Sequence, residues 1–496
     1  MPDLAKTLGE LKKSGWESVS VKEEMRKNLI KKIGLGESFF QGVLGYEKTV
    51  IPQVQHAILA KHDIILLGLR GQAKTKMLRQ LGELLDEYLP IVEGSEINDD
   101  PYNPISKYAT ETIEKCGDAT SIKWLHRSER YGEKLATPDT TVADLVGDID
   151  PIKAATQKLS LADESVINYG LIPRTNRGIF VINELPDLQP RIQVALLNIM
   201  QERDIQIRGF NVRIPLDVAV AFSANPEDYT NRGNIITPLK DRIDAQILTH
   251  YPKELSTGVD ITRQEAWSDR EQSIQVNVPD IFREVIEYVA FEARESEYID
   301  QKSGVSARMT ITALEQVVSA AERRALMNKE SQTTVRISDL YHMVPALTGK
   351  MELVYEGEQE GANNVAKHMI GRAITKVFKN RFPSPESKDE KVKAEYSAIT
   401  SWFASGNNVD IPDTMTNGEY KKVILSVEGL HALVAKYVKG LSESETLSFM
   451  DLTLESLHQH SMLSKQDLDD HIHYSDMIGS MFSSMGDVDD YTEFDF

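Results

Sequence analysis

Gly68-Leu69-Arg70-Gly71-Gln72-Ala73-Lys74-Thr75 is the stretch that decides the fold. It follows an apolar run, Ile64-Ile65-Leu66-Leu67, and opens a helical pattern through Met77, Leu78, Leu81 and Leu84. Strand, glycine-containing loop, Lys-Thr and helix, in that order, is the layout of a phosphate-binding P-loop. Backbone N–H groups at a helix N-terminus form a concave anion site. Lys74 is placed to reach the β- and γ-phosphates of a nucleotide, and Thr75 to hold Mg2+ through its hydroxyl. Ala73 departs from the pattern, which has glycine there.

Such a loop needs partners on neighbouring strands. Phe180-Val181-Ile182-Asn183-Glu184 reads as a buried strand ending in polar residues. At that place an acidic residue orients Mg2+ and the next carboxylate polarises the attacking water. Glu184 suits the second role. Asn183 occupies the first, where Asp is expected; an amide accepts a hydrogen bond from a metal-bound water but brings no charge. Val218 to Phe222 is a further buried strand, ending in Ser223-Ala224-Asn225-Pro226. Asn225 is placed to bridge the water and the γ-phosphate, although the same residues also read as a plain Asn-Pro turn. In Leu239-Lys240-Asp241-Arg242, Arg242 reads either as an arginine finger for a neighbouring subunit or as a surface ion-pairing residue. Arg308, in Ser306-Ala307-Arg308-Met309, reads the same two ways, with the γ-phosphate as its functional target.

Working outward, strands alternate with helices up to about 255, which means an α/β sheet. Residues 1–40 read as a helical lead-in, and Val43-Leu44-Gly45-Tyr46 precedes an amphipathic helix at Val50–Leu59. Residues 92–135 are polar without clear period and read as an insertion. Ile205 to Pro215 alternates around Gly209-Phe210 and suggests a hairpin. From 256 to 380 the pattern is helical only. Pro383 to Lys388 reads as a linker before a mainly helical region, 386–465. After Lys465 there is no Lys or Arg, and nine Asp or Glu occur, so 466–496 reads as an acidic tail. Asp469, Asp470, His471 and His473 have metal-ligand types, and a solvated acidic tail explains them equally.

The chain has 496 residues, 41% hydrophobic and 27% charged, with a formal net charge of -20. That length implies several domains. That charge argues against a partner with a phosphate backbone. Cys116 is the only cysteine, which fits a reducing compartment. No signal-peptide core and no run of about 18 apolar residues occurs, so a cytoplasmic protein without a membrane span is expected.

The order P-loop, Asn-Glu strand, hairpin, Ser-Ala-Asn-Pro, Lys-Asp-Arg and Ser-Ala-Arg resembles the AAA+ ATPases. Within them it looks like the MoxR and magnesium-chelatase small-subunit branch. Leu145-Val146-Gly147-Asp148-Ile149-Asp150 and Gly170 to Gly178 are similar to that branch's stretches ahead of the Asn-Glu strand. The resemblance covers about 35–350. It implies an α/β P-loop NTPase core at 41–255, a helical lid at 256–380 and ATP with Mg2+ bound between subunits of a ring, usually a hexamer. It further implies a protein client, often one with a von Willebrand A domain; the absence of a nucleic-acid partner is expected from the charge. The expected nucleotide-binding set is Gly45, Gly68, Gly71, Gln72, Ala73, Lys74 and Thr75. Thr75 and Asn183 are the expected metal-binding residues, and Glu184, Asn225, Arg242 and Arg308 the catalytic set. A magnesium-chelatase motor subunit and a nucleotide-held scaffold with slow turnover are the alternatives.

Overall fold

The computed structural model describes residues 4–158, 160, 163–202, 204–206, 213–226, 233–270, 274–468 and 471–477. The chain divides into two compact units, Met1–Tyr251 and Pro252–Phe496.

The first unit is built on five parallel strands: β1 (Ile64–Leu67), β2 (Tyr131–Leu135), β3 (Gly178–Asn183), β4 (Val218–Ala224) and β5 (Ala245–Leu248). Their order across the sheet is β5-β1-β4-β3-β2. The three central strands read as unbroken apolar runs because both of their faces are buried. Ile65, Leu67, Phe180, Ile182, Val220 and Phe222 pack on one face. Ile64, Leu66, Ile179, Val181, Ala219 and Ala221 pack on the other. The second face is covered by the helices Val21–Leu35 and Val50–Leu59 and by α1 (Lys74–Gln80), which contributes Met77 and Leu78. The first face is covered by α2 (Pro190–Gln201), through Ile192, Leu196 and Ile199, and by α3 (Thr237–Arg242), through Leu239.

The segment expected as an insertion, 92–135, is only partly one. Tyr88–Val92 and Ile122–His126 form an antiparallel pair around the helix Lys107–Cys116. The last five residues, however, are β2 of the central sheet, with Gly132 opposite Phe180. As an edge strand β2 carries Glu133 and Lys134 and lacks the apolar run that betrays its neighbours. The expected hairpin pairs Asp204–Gln206 with Arg213–Pro215; Gly209 and Phe210 lie outside the described residues. In the lead-in, Glu24 and Arg130 form a buried bidentate ion pair at 2.6 and 2.8 Å. It ties the helix Val21–Leu35 to the segment just before β2.

The second unit has one continuous core. It runs from Val278 through α4 (Asp280–Glu295), α5 (Arg308–Asn328) and α6 (Ala362–Lys379) to α7 (Glu443–Gln459). The separation expected between 256–380 and 386–465 is therefore not a separation of cores. Phe378 on α6 stacks on Phe382 at 4.6 Å and lies 6.5 Å from Tyr396, so apolar packing runs straight through the stretch that reads as a linker. The region expected as an acidic tail begins as structure: β6 (Val409–Pro412), β7 (Ser464–Leu468) and β8 (His471–Ser475) form an antiparallel sheet. Tyr474 is fully buried and donates to Glu455 at 2.6 Å. Residues 478–496 lie outside the described residues. Among the described residues no helix is long and apolar enough to cross a membrane.

Two buried carboxylates one turn apart on α7 titrate in opposite directions. Burial pushes Asp451 up to about 6, against hydrogen bonds from the Ile337 N–H and the Tyr420 hydroxyl. Glu455 is held down at about 2: burial opposes this, but the Lys465 ammonium and the Tyr341 and Tyr474 hydroxyls outweigh it. For Asp451 the folded value lies above the unfolded one. Its stabilising effect is complete below about pH 4 and is lost as pH rises through about 6. Asp451→Asn keeps an acceptor for Ile337 and Tyr420 without the charge. Its stability relative to wild type is expected to improve by about 2–3 kcal/mol between pH 4 and pH 7, read by denaturant unfolding at both pH values.

Candidate functional site

The site forms where the parallel strands end. Leu67, the last residue of β1, pairs with Ala224 of β4 and Leu248 of β5. The Gly68 N–H continues the ladder to the Ala224 carbonyl at 3.2 Å. Asn225 and Thr249 thereby arrive beside the first residue of the loop. Gly68 has no room for a side chain: a Cβ there would collide with Thr249 Oγ1 and Gln72 Oε1. Those two atoms belong to a hydrogen bond of 2.6 Å that fastens the buried Gln72 to the end of β5. Tyr46 adds a second fastening, its hydroxyl lying 3.1 Å from the Gln72 carbonyl and 2.7 Å from that of His250. Burial pushes its phenol up to about 12. Gly45, at φ 82°, turns the chain into that tyrosine.

Gly71 sits at φ 74° and Ala73 at φ 56°, ψ 14°. The left-handed turn before Lys74 is the reason the pattern has glycine there. Ala73 makes the same turn with a Cβ, at a cost of about 1–2 kcal/mol. Lys74 is buried, and its ammonium donates to the carbonyls of Gly68 and, at 2.9 Å, Leu69. It therefore lies curled over the loop. Thr75 follows in the first turn of α1.

Asn183 and Glu184 end β3, next to β4. Asn183 is buried, and its Oδ1 accepts from Ser223 Oγ at 2.8 Å. Glu184 takes a left-handed conformation, φ 54°, ψ 50°, with its N–H 3.3 Å from the same Ser223 oxygen. Asn225 is 6% exposed, and its Oδ1 has no hydrogen-bond partner among the described residues. A buried acceptor left without a donor costs about 1–3 kcal/mol. Asn225 lies one residue past the end of β4, beside the loop.

The structure thus brings together the loop, Asn183, Glu184 and Asn225. It does not bring Arg242 to them. Arg242 ends α3 and precedes Ala245, which pairs with Ile64 at the start of β1. That is the opposite edge of the sheet from the loop. Its guanidinium holds Gln201 Oε1 at 2.6 and 2.9 Å and the Pro238 carbonyl at 2.8 Å. Arg308 belongs to the second unit, where it is exposed at the first position of α5. On the other candidate cluster, His473 Nδ1 lies 3.3 Å and His471 Nε2 3.7 Å from Asp410 Oδ1. Asp469 and Asp470 fall outside the described residues, and among those described no group of three or more such side chains could hold a metal ion.

Sequence reading missed Glu133. This β2 residue takes the amide Nδ2 of Asn183 at 2.7 Å and is held by Arg79 of α1 at 2.8 and 3.0 Å. Nothing in Tyr131-Gly132-Glu133-Lys134-Leu135 marks it, because its significance depends on β2 lying against β3. The donor set at this edge is a threonine hydroxyl, an amide oxygen and carboxylates. All are oxygen ligands of the kind Mg2+ takes, and the loop N–H groups and Lys74 suit phosphate. The residues present therefore fit a magnesium nucleotide.

A parallel sheet in the order β5-β1-β4-β3-β2, with a phosphate loop after β1 and polar residues ending β3 and β4, is the fold of an AAA+ P-loop NTPase. A family profile described as the Sigma-54 interaction domain matches residues 160–248, which span β3 to β5. Within the class, the chain resembles magnesium-chelatase subunits. It is 27% identical over 233 residues to the magnesium-chelatase 38 kDa subunit of Cereibacter sphaeroides, covering 46% of this chain and 64% of that one. It is 27% identical over 204 residues to the corresponding subunit of Rhodobacter capsulatus, covering 40% and 52%. The chain thus spans between half and two thirds of the length of these curated relatives. Among solved structures, NtrX from Brucella abortus in complex with ATP is 12% identical with a TM-score of 0.38, covering 71% of this chain and 68% of that one.

The strain at position 73 is open to measurement. Ala73→Gly is expected to stabilise the first unit by about 0.5–1 kcal/mol. Ala73→Val, β-branched in a left-handed turn, is expected to destabilise it by about 1–3 kcal/mol. Chemical denaturation of both variants beside wild type checks the ordering.

Proposed function

We propose that this chain is an ATP-binding and ATP-hydrolysing AAA+ remodeller of the MoxR type, working as an oligomeric ring on a protein partner. The observation that carries the reading is the convergence of Lys74, Thr75, Asn183, Glu184 and Asn225 at one edge of the sheet.

This reading assigns the following roles. The loop N–H groups and Lys74 bind phosphate oxygens, Lys74 exchanging the Gly68 and Leu69 carbonyls for them. Thr75 and Asn183 would hold Mg2+, which when bound draws charge off the phosphates. Glu184 takes a proton from the attacking water, and Asn225 Oδ1 accepts the water's other hydrogen. Arg242, remote from its own loop, supplies its guanidinium to the loop of a neighbouring subunit. This remoteness is what favours a ring with sites at subunit boundaries, a hexamer in the related branch. For Arg308 a γ-phosphate contact is what the resemblance alone implies. The client is a von Willebrand A-domain protein on the strength of the resemblance alone. Cys116, exposed and without a disulfide, fits a cytoplasmic setting.

A second reading has support from Asn183. A neutral residue at the metal weakens charge placement, which favours a nucleotide-held scaffold with slow turnover. The sequence similarity also keeps open a magnesium-chelatase-type motor subunit.

Steady-state phosphate release decides the enzymatic part. Glu184→Gln is expected to lose about 10^2- to 10^4-fold in rate with ATP binding retained. Arg242→Ala is expected to retain binding and lose about 10^3-fold or more. Its activity should return when mixed with subunits that carry Arg242 but lack Lys74. Wild-type release no faster than that of Glu184→Gln would exclude the hydrolase and leave the scaffold.

A further inference from the structure

The neutral Asn183 sits in a chain of hydrogen bonds that fixes which way its amide faces. Arg79 Nε and Nη2 donate to Glu133 at 2.8 and 3.0 Å. Asn183 Nδ2 donates to Glu133 Oε1 at 2.7 Å. Ser223 Oγ donates to Asn183 Oδ1 at 2.8 Å and accepts from the Glu184 N–H at 3.3 Å. The link to Glu133 sets the polarity of the rest. An ionised carboxylate only accepts, so Glu133 selects the NH2 end of the amide. That leaves the Oδ1 end facing Ser223, whose hydroxyl gives its proton to it while accepting the Glu184 N–H.

The consequence is directional. Glu133 lies on β2, and Ser223 lies on β4, which stands between β3 and the loop-bearing β1. The amide oxygen is therefore turned toward the loop and the amide nitrogen away from it. A flipped amide would present two N–H donors to a cation. Glu133 and Arg79 share the sheet face covered by α1: Glu133 pairs with Val181, whose side chain packs on that face. Arg79 stands four residues after Thr75, so both are on one side of α1.

We propose that Glu133 is a positioning residue for magnesium-nucleotide binding, and that Glu133 with Asn183 is one functional unit. In it the carboxylate stands one strand away from its usual place and the amide it orients meets the cation. This rests on the nucleotide-binding reading above. It makes a prediction that an ordinary motif defect does not. If Asn183 were simply a weakened Asp, Asn183→Asp would tighten magnesium-dependent binding. With Glu133 at 2.7 Å, a second carboxylate at 183 meets a like charge instead, and the gain appears only when position 133 is neutral.

The test uses a fluorescent N-methylanthraniloyl ATP and the full chain, titrated in excess Mg2+ and in EDTA. The readout is the ratio of the two affinities, which needs no turnover. Glu133→Gln can present either end of its own amide and releases the flip. It is expected to lower the ratio about tenfold, the equivalent of one hydrogen bond to a charged group, with affinity in EDTA unchanged. Asn183→Asp alone is expected to lower it as well. The double variant Glu133→Gln with Asn183→Asp is expected to restore at least the wild-type ratio. An unchanged ratio in Glu133→Gln, or a double variant no better than the poorer single, overturns the proposal. Should Glu133→Gln not fold, Asn183→Asp decides alone, since a tighter ratio than wild type overturns it. Wild type that binds no better than Lys74→Ala in either buffer would instead overturn the nucleotide reading itself.

Discussion

The pairing of Leu67 with Ala224 on one side and Leu248 on the other is the constraint on which the site depends. It places three chain segments abreast where the sheet ends, so that the loop, Asn225 and Thr249 become neighbours although far apart in sequence. The pairing is itself enforced by burial. Both faces of β1, β3 and β4 are apolar, and a one-residue slip would exchange the side chains of one core for those of the other. Polar chemistry is thereby confined to the strand ends, which is where ligands bind in open α/β sheets.

Two left-handed residues and one buried acceptor lie at that edge. Ala73 and Glu184 both hold left-handed conformations, and Asn225 Oδ1 has no partner among the described residues. Such features persist only where the surrounding structure over-determines them, as binding sites do. The fastenings are visible: Gln72 to Thr249, Tyr46 over the Gln72 carbonyl, and Ser223 between Asn183 and Glu184. They let the loop keep its shape with an alanine where glycine is easier.

The second unit shows how far a sequence pattern can mislead about boundaries. Pro383, Ser384 and Pro385 look like a break, yet Phe378, Phe382 and Tyr396 pack across it. The acidic stretch after Lys465 looks solvated, yet its beginning closes a three-stranded sheet whose Tyr474 reaches the buried Glu455. Composition counts charges along the chain. It does not see that Lys465, itself nearly buried, neutralises Glu455 across ten residues.

The sequence by itself determined the glycine-containing loop between strand and helix, the strands that flank it and the polar residues that end them. Those signals are local: an apolar run long enough for a buried strand, a turn chemistry, a helix start. The placement of Glu184 and Asn225 at strand ends was legible for the same reason. Only the tertiary structure decided that Tyr131–Leu135 is a strand of the central sheet, that Glu133 on it orients Asn183, and that Arg242 faces away from its own loop. An edge strand has one partner and one exposed side, so burial leaves little imprint on its residues. A hydrogen bond between residues 133 and 183 has no period or spacing from which it could be read.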